Sequence, residues 1–62
     1  MSTSIIQKEV QLLMSKFDVK SYSYAERIDL SLDVIDLKLK EQPLVVLFHE
    51  MKKELNKMKS TL

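Results

Sequence analysis

Glycine is absent from all 62 residues of this chain, and that absence limits the folds available to it. Tight β-hairpin turns need residues at positive φ, and glycine is their main supplier. Phosphate-binding loops and dinucleotide-binding fingerprints need glycines at fixed positions, so the chain has neither motif. We therefore expect an all-α fold without a nucleotide cofactor.

The length of the chain allows one domain, residues 1–62, and makes that domain hard to stabilise alone. A domain of this size buries only about 60% of its unfolded surface, and small domains usually depend on disulfides, a metal or a partner chain. With no cysteine and one histidine, disulfides and thiolate zinc sites are excluded, as is a histidine-rich metal site within one chain. We expect no metal or other cofactor, and we expect association to supply the missing stability.

The two ends of the chain carry helical patterns. Ser4 and Gln7 have the spacing of a capping box, and the apolar stripe that follows predicts a first helix over about 5–17: Ile6, Val10, Leu13 and Phe17. Pro43 suits a first helical position, so we predict a third helix over 43–60. Its apolar residues recur at spacings of four and three: Leu44, Phe48, Met51, Leu55, Met58 and Leu62. Because its first turn is apolar on nearly all sides, we expect this end to be buried deepest.

The middle of the chain carries two apolar stripes rather than one. The first stripe comprises Ile28, Leu32, Ile35 and Leu39. The second lies nearly opposite at 100° per residue and comprises Leu30, Val34 and Leu37. Ser23 and Glu26 form a capping box that predicts a second helix over 24–41. A helix that is apolar on two sides must be covered on two sides.

A strand is the alternative for this middle segment. Six apolar or aromatic residues occupy even positions, an alternation typical of a half-buried strand: Tyr22, Tyr24, Ile28, Leu30, Leu32 and Val34. The alternation shifts to odd positions at Ile35, and no Gly, Asn or Pro is present there to form a turn. This shift favours the helix.

The second and third helices have similar lengths and a short connection, which predicts an antiparallel helical hairpin. The first helix would cover one side of the hairpin, giving a small three-helix bundle. The second stripe and the valines after Pro43 would stay uncovered, so we expect dimerisation or a partner chain to complete the bundle. Our candidate interface combines apolar anchors, an acidic edge and two tyrosines: Leu30, Val34, Leu37, Val45, Val46, Asp29, Asp33, Asp36, Tyr22 and Tyr24.

These features favour a small protein–protein interaction module, namely a cytosolic regulator such as an inhibitor, anti-repressor or adaptor. It would bind a protein partner, or itself as a homodimer, through the second and third helices. The alternative is a dimeric nucleic-acid-binding regulator that uses the lysines of the third helix: Lys52, Lys53, Lys57 and Lys59. A net charge of +1 argues against this alternative, because nucleic-acid-binding domains are usually strongly basic.

Enzymatic chemistry lacks its usual residues in this sequence. His49-Glu50 resembles the start of a zinc-binding H-E-x-x-H motif, but Lys53 stands where the second histidine belongs. We expect no catalysis and no small-molecule substrate. No apolar run approaches the roughly 18 residues of a membrane span, and the first ten residues lack the pattern of a signal peptide. We therefore expect a cytoplasmic protein without membrane attachment.

Overall fold

The computed structural model describes residues 2–62, and this part of the chain contains three α-helices and no strand. The helices are α1 (Thr3–Ser15), α2 (Tyr24–Glu41) and α3 (Val46–Ser60). The prediction of an all-α three-helix domain is confirmed. The strand alternative for the middle segment is wrong, because that segment is one continuous helix of 18 residues.

The first helix begins and ends two residues earlier than the pattern predicts. Ser2 has an extended backbone, and its Oγ accepts a hydrogen bond from the Ile5 amide at 3.4 Å, so Ser2 and not Ser4 is the N-cap. Both serines can cap a helix by the same chemistry, and the sequence alone does not choose between them. The helix ends at Ser15, and Phe17 packs against the core from the loop that follows.

The second helix has the N-terminus that its sequence predicts. The Glu26 amide donates to Ser23 Oγ at 3.2 Å, and the Ser23 amide donates to Glu26 Oε1 at 3.1 Å, which completes the capping box. The buried face of the helix is formed by Ile28, Ser31 and Ile35. Ser31 is fully buried and donates its hydroxyl proton to the Arg27 carbonyl at 2.8 Å, so its polar group is satisfied within the helix.

The third helix begins at Val46, three residues after the predicted start at Pro43. Pro43 and Leu44 lie in a turn, and the His49 ring closes this turn by donating from Nε2 to the Pro43 carbonyl at 2.6 Å. The turn takes Leu44 out of the helical register and leaves it 91% exposed. The expectation that this end is buried deepest is therefore wrong. The buried residues of α3 are Met51 and Leu55, in its central part.

The core lies among all three helices, with α3 packed against both α1 and α2. It consists of eight buried apolar side chains: Ile6, Val10, Leu13, Met14, Ile28, Ile35, Met51 and Leu55. Each comes from a stripe of helical period except Met14, which widens the buried face of α1. None of the helices described here has the length and hydropathy that a membrane crossing requires.

Candidate protein interface

The acidic edge of α2 consists of Asp29, Asp33 and Asp36, and two of these three residues form ion pairs with α3. Asp29 Oδ1 lies 2.7 Å from Lys59 Nζ, and Asp36 Oδ1 lies 2.7 Å from Lys52 Nζ. All four side chains are about half exposed, so each pair contributes little to the free energy of unfolding. Asp33 is exposed between them and forms no ion pair with any residue from 2 to 62.

Three of the four candidate lysines of α3 also form ion pairs within the chain. Lys52 and Lys59 pair with α2, and Lys53 pairs with Glu50 at 3.4 Å, as the i,i+3 spacing suggests. Only Lys57 of the four has no ion pair in the described part of the chain. A nucleic acid would have to compete with carboxylates for most of these ammonium groups. Within residues 2–62, no three His, Asp or Glu side chains lie close enough together to hold a metal ion.

The second stripe of α2 is covered unevenly. Leu37 is 60% exposed, whereas Leu30 and Val34 are half-buried. Val34 packs against the core, and Leu30 does not. The stripe therefore presents Leu37 and Leu30 outwards, with Val34 between them as the link to the interior.

Val34 also lines a groove of about 180 Å³ where the three helices meet. The groove is mainly apolar, with three charged residues among those that line it: Glu9, Leu12, Leu13, Lys16, Val34, Ile35, Lys38, Leu47, Phe48 and Met51. Leu12 is 52% exposed on the α1 side. Sequence reasoning did not place Leu12 in the candidate interface. The sequence feature that could have identified Leu12 is the seven-residue spacing of Ile5, Leu12 and Val19. All three of these residues are exposed.

The turn between α2 and α3 exposes further apolar surface. Leu44 is 91% exposed and Val46 is 60% exposed, and Val45 between them is half-buried. At the other connection, Tyr22 and Tyr24 are 40% and 47% exposed beside the α2 N-cap. The tyrosines thus lie at the opposite end of α2 from Val45 and Val46, and the other candidate interface residues lie along the helix between them.

Arg27 ties α2 to the end of α1, a contact that the sequence does not predict. Its Nη2 donates to the Met14 carbonyl at 3.2 Å, near the C-terminus of α1, where the same carbonyl also accepts from the Phe17 amide at 3.0 Å. Its Nε is buried and has no hydrogen-bond partner among the described residues. The side chain is therefore held in position by one charge-assisted bond and by packing.

Comparison of the chain with models of protein families, with curated proteins and with solved structures finds no match. The chain's own surface is therefore the guide to its function. Its main feature is the amount of apolar surface on α2, on the adjoining groove and on the α2–α3 turn.

Proposed function

We propose that this chain is a small non-enzymatic interaction module that regulates a protein partner by binding it through α2 and α3. One observation carries the proposal. Large apolar side chains remain exposed on both sides of the α2–α3 turn, namely Leu37 at 60%, Leu44 at 91% and Val46 at 60%. Exposed apolar patches on small domains commonly mark interaction sites.

We further propose that α2 and α3 form an antiparallel hairpin. The two interhelical ion pairs support this arrangement. Asp29, early in α2, pairs with Lys59, late in α3, whereas Asp36, late in α2, pairs with the earlier Lys52. Such an inverted order of contacts is what antiparallel neighbours produce. The hairpin would present Leu44 and Val46 at its closed end, beside the groove.

Charge at the groove suggests the chemistry of the partner segment. Two of the three charged residues that line the groove are lysines, Lys16 and Lys38, and the third is Glu9. Neither lysine forms an ion pair with other residues in the 2–62 range. We propose that the groove and the turn receive an amphipathic helix with acidic residues on its flank, because opposite charges at a rim orient an apolar contact. The lack of cysteine fits a reducing, cytoplasmic setting.

The test compares three forms of the chain as affinity baits in cell lysate. We expect wild type to retain a protein that the Val46→Asp form loses. The matched control is Ile5→Asp, which places the same charge on an exposed apolar position of α1 and should retain that protein. Retention by all three forms, or by none of them, would overturn the proposal. Far-ultraviolet circular dichroism of each form shows that the helices are intact.

A further inference from the structure

One side of α2 carries a seam of five residues at spacings of three and four. The α2 seam consists of Arg27, Leu30, Val34, Leu37 and Glu41. Positions with this spacing lie on one side of a helix and form the contact line of paired helices. The buried residues of α2 lie on a different side. Leu37 and Glu41 are exposed, and the other three members are half-buried.

The two ends of the α2 seam carry opposite charges. A cation stands at one end, an anion at the other, and three aliphatic side chains lie between them in the order Leu, Val, Leu. In an antiparallel pair of two such helices, Val34 meets Val34 of the second copy and Leu30 meets its Leu37. Arg27 then lies opposite Glu41 of the second copy, twice in each dimer. A parallel pair would instead bring like charges together at both ends.

We propose that a second copy of this chain covers the α2 seam, with the two α2 helices antiparallel and the two-fold axis passing at Val34. The inference rests on the proposed function, since it names the partner for the α2 part of that surface. A two-fold interface must be self-complementary, with residue i contacting j and j contacting i. The α2 seam meets this requirement in the order of its charged and aliphatic side chains. The α2–α3 turn stays available for the regulated protein, whereas the groove shares Val34 with the α2 seam.

Of the two charged ends of the α2 seam, Glu41 is exposed, whereas Arg27 is half-buried and its Nε is buried. Glu41 forms no ion pair in the described part of its own chain. Arg27 uses Nη2 on the Met14 carbonyl, and a guanidinium has further donors for a carboxylate. One contact opposes the arrangement, because Asp33 precedes Val34 and would approach its own copy near the axis. Removing that charge should strengthen the dimer.

The first test measures mass by light scattering across a dilution series. Wild type should show twice the 7.3 kDa of one chain at micromolar concentration. Leu37→Asp should be monomeric at the same concentration, and the exposed control Ile5→Asp should remain dimeric. Glu41→Arg should weaken dimerisation about tenfold, because both symmetric ion pairs become repulsive, and Asp33→Asn should tighten it. A wild-type monomer, or variants that dimerise equally well, would overturn the proposal.

The second test fixes the direction of the helices by thiol cross-linking. The chain has no cysteine, so a single introduced thiol reports one position without background. Val34→Cys should cross-link to itself through a short bismaleimide. Leu30→Cys should cross-link with Leu37→Cys in a mixture of the two chains, and far less with itself. Efficient self-cross-linking of Leu30→Cys would show a parallel pair and overturn the proposal.

These tests fail independently of the lysate experiment. A chain that stays monomeric but retains a protein dependent on Val46 would reject the self-pairing and keep the interaction function. A dimer with the expected cross-links that retains no such protein would keep the self-pairing and reject the binding of a regulated partner. Leu37 is a better position for the disrupting charge than Val34, because Val34 also packs against the core.

Discussion

Truncation of two leucines of the C-terminal region tests where α3 begins. Leu55 is fully buried, and Leu44 is 91% exposed, although both belong to the same apolar repeat in the sequence. A buried Leu→Ala change costs about 2–5 kcal/mol, through lost transfer energy and the cavity that remains. A chain of this size rarely has more than about 3–5 kcal/mol of stability. Leu55→Ala should therefore remove most or all of the free energy of unfolding.

The assay follows the helical circular dichroism signal on heating, at one fixed chain concentration because association raises apparent stability. The lower estimate for Leu55→Ala corresponds to a fall of roughly 8–16 °C in melting temperature, and the upper estimate leaves the chain unfolded. Leu44→Ala should change the free energy of unfolding by less than about 0.5 kcal/mol. Equal losses for the two variants would refute the reasoning, because Leu44 would then be packed in the helix as the repeat alone predicts.

Three further contacts give testable losses of stability. Ser23→Ala removes the capping box of α2 and should cost about 1 kcal/mol, and an unchanged urea midpoint would contradict the cap. Arg27→Met removes the charge-assisted bond to the Met14 carbonyl, which destabilises the chain, and also removes the buried, unpartnered Nε, which stabilises it. We expect the free energy of unfolding, measured by urea titration, to fall by about 1–2 kcal/mol. If Arg27→Met were more stable than wild type, the bond to the Met14 carbonyl would not offset the cost of burying Nε. His49→Ala should cost about 0.5–1.5 kcal/mol and speed amide hydrogen exchange in the first turn of α3, since no side chain caps that helix. Unchanged exchange would refute the role of the Pro43 contact.

The parts of the fold that depend on local chemistry were predictable from the sequence. The Ser23–Glu26 capping box and the residue before Pro43 mark the ends of α2, because each depends only on neighbours along the chain. The stripe of α1 also identifies its buried residues Ile6, Val10 and Leu13. In these cases, one sequence signal has one physical outcome.

The predictions were wrong or incomplete where two residues could form the same cap, or where a contact involves residues far apart in the sequence. Ser2 and Ser4 can both cap a helix, and the apolar stripe that follows is the same for either start. At the start of α3, His49 reaches back to the Pro43 carbonyl, and no repeat or motif in the sequence signals this contact. Arg27 reaches Met14 across 13 positions of sequence, which periodicity within one helix does not describe.

The candidate interface shows the same division. Periodicity identifies Leu37 and Leu30 as members of a stripe away from the core, and the structure leaves Leu37 60% exposed. Periodicity also places Val34 in the stripe away from the core. In the structure, however, Val34 packs against the core and lines a groove together with residues of α1 and α3. The acidic edge looks like a docking surface in the sequence because the sequence does not reveal that Lys52 and Lys59 lie opposite it.

The measurement that most directly tests the association of this chain is the mass of wild type and Leu37→Asp in solution, followed through dilution by light scattering. The account predicts a wild-type mass of twice 7.3 kDa at micromolar concentration that falls on dilution, and a Leu37→Asp mass of 7.3 kDa throughout. A wild-type mass of 7.3 kDa at every concentration, with all helices intact by circular dichroism, would contradict it.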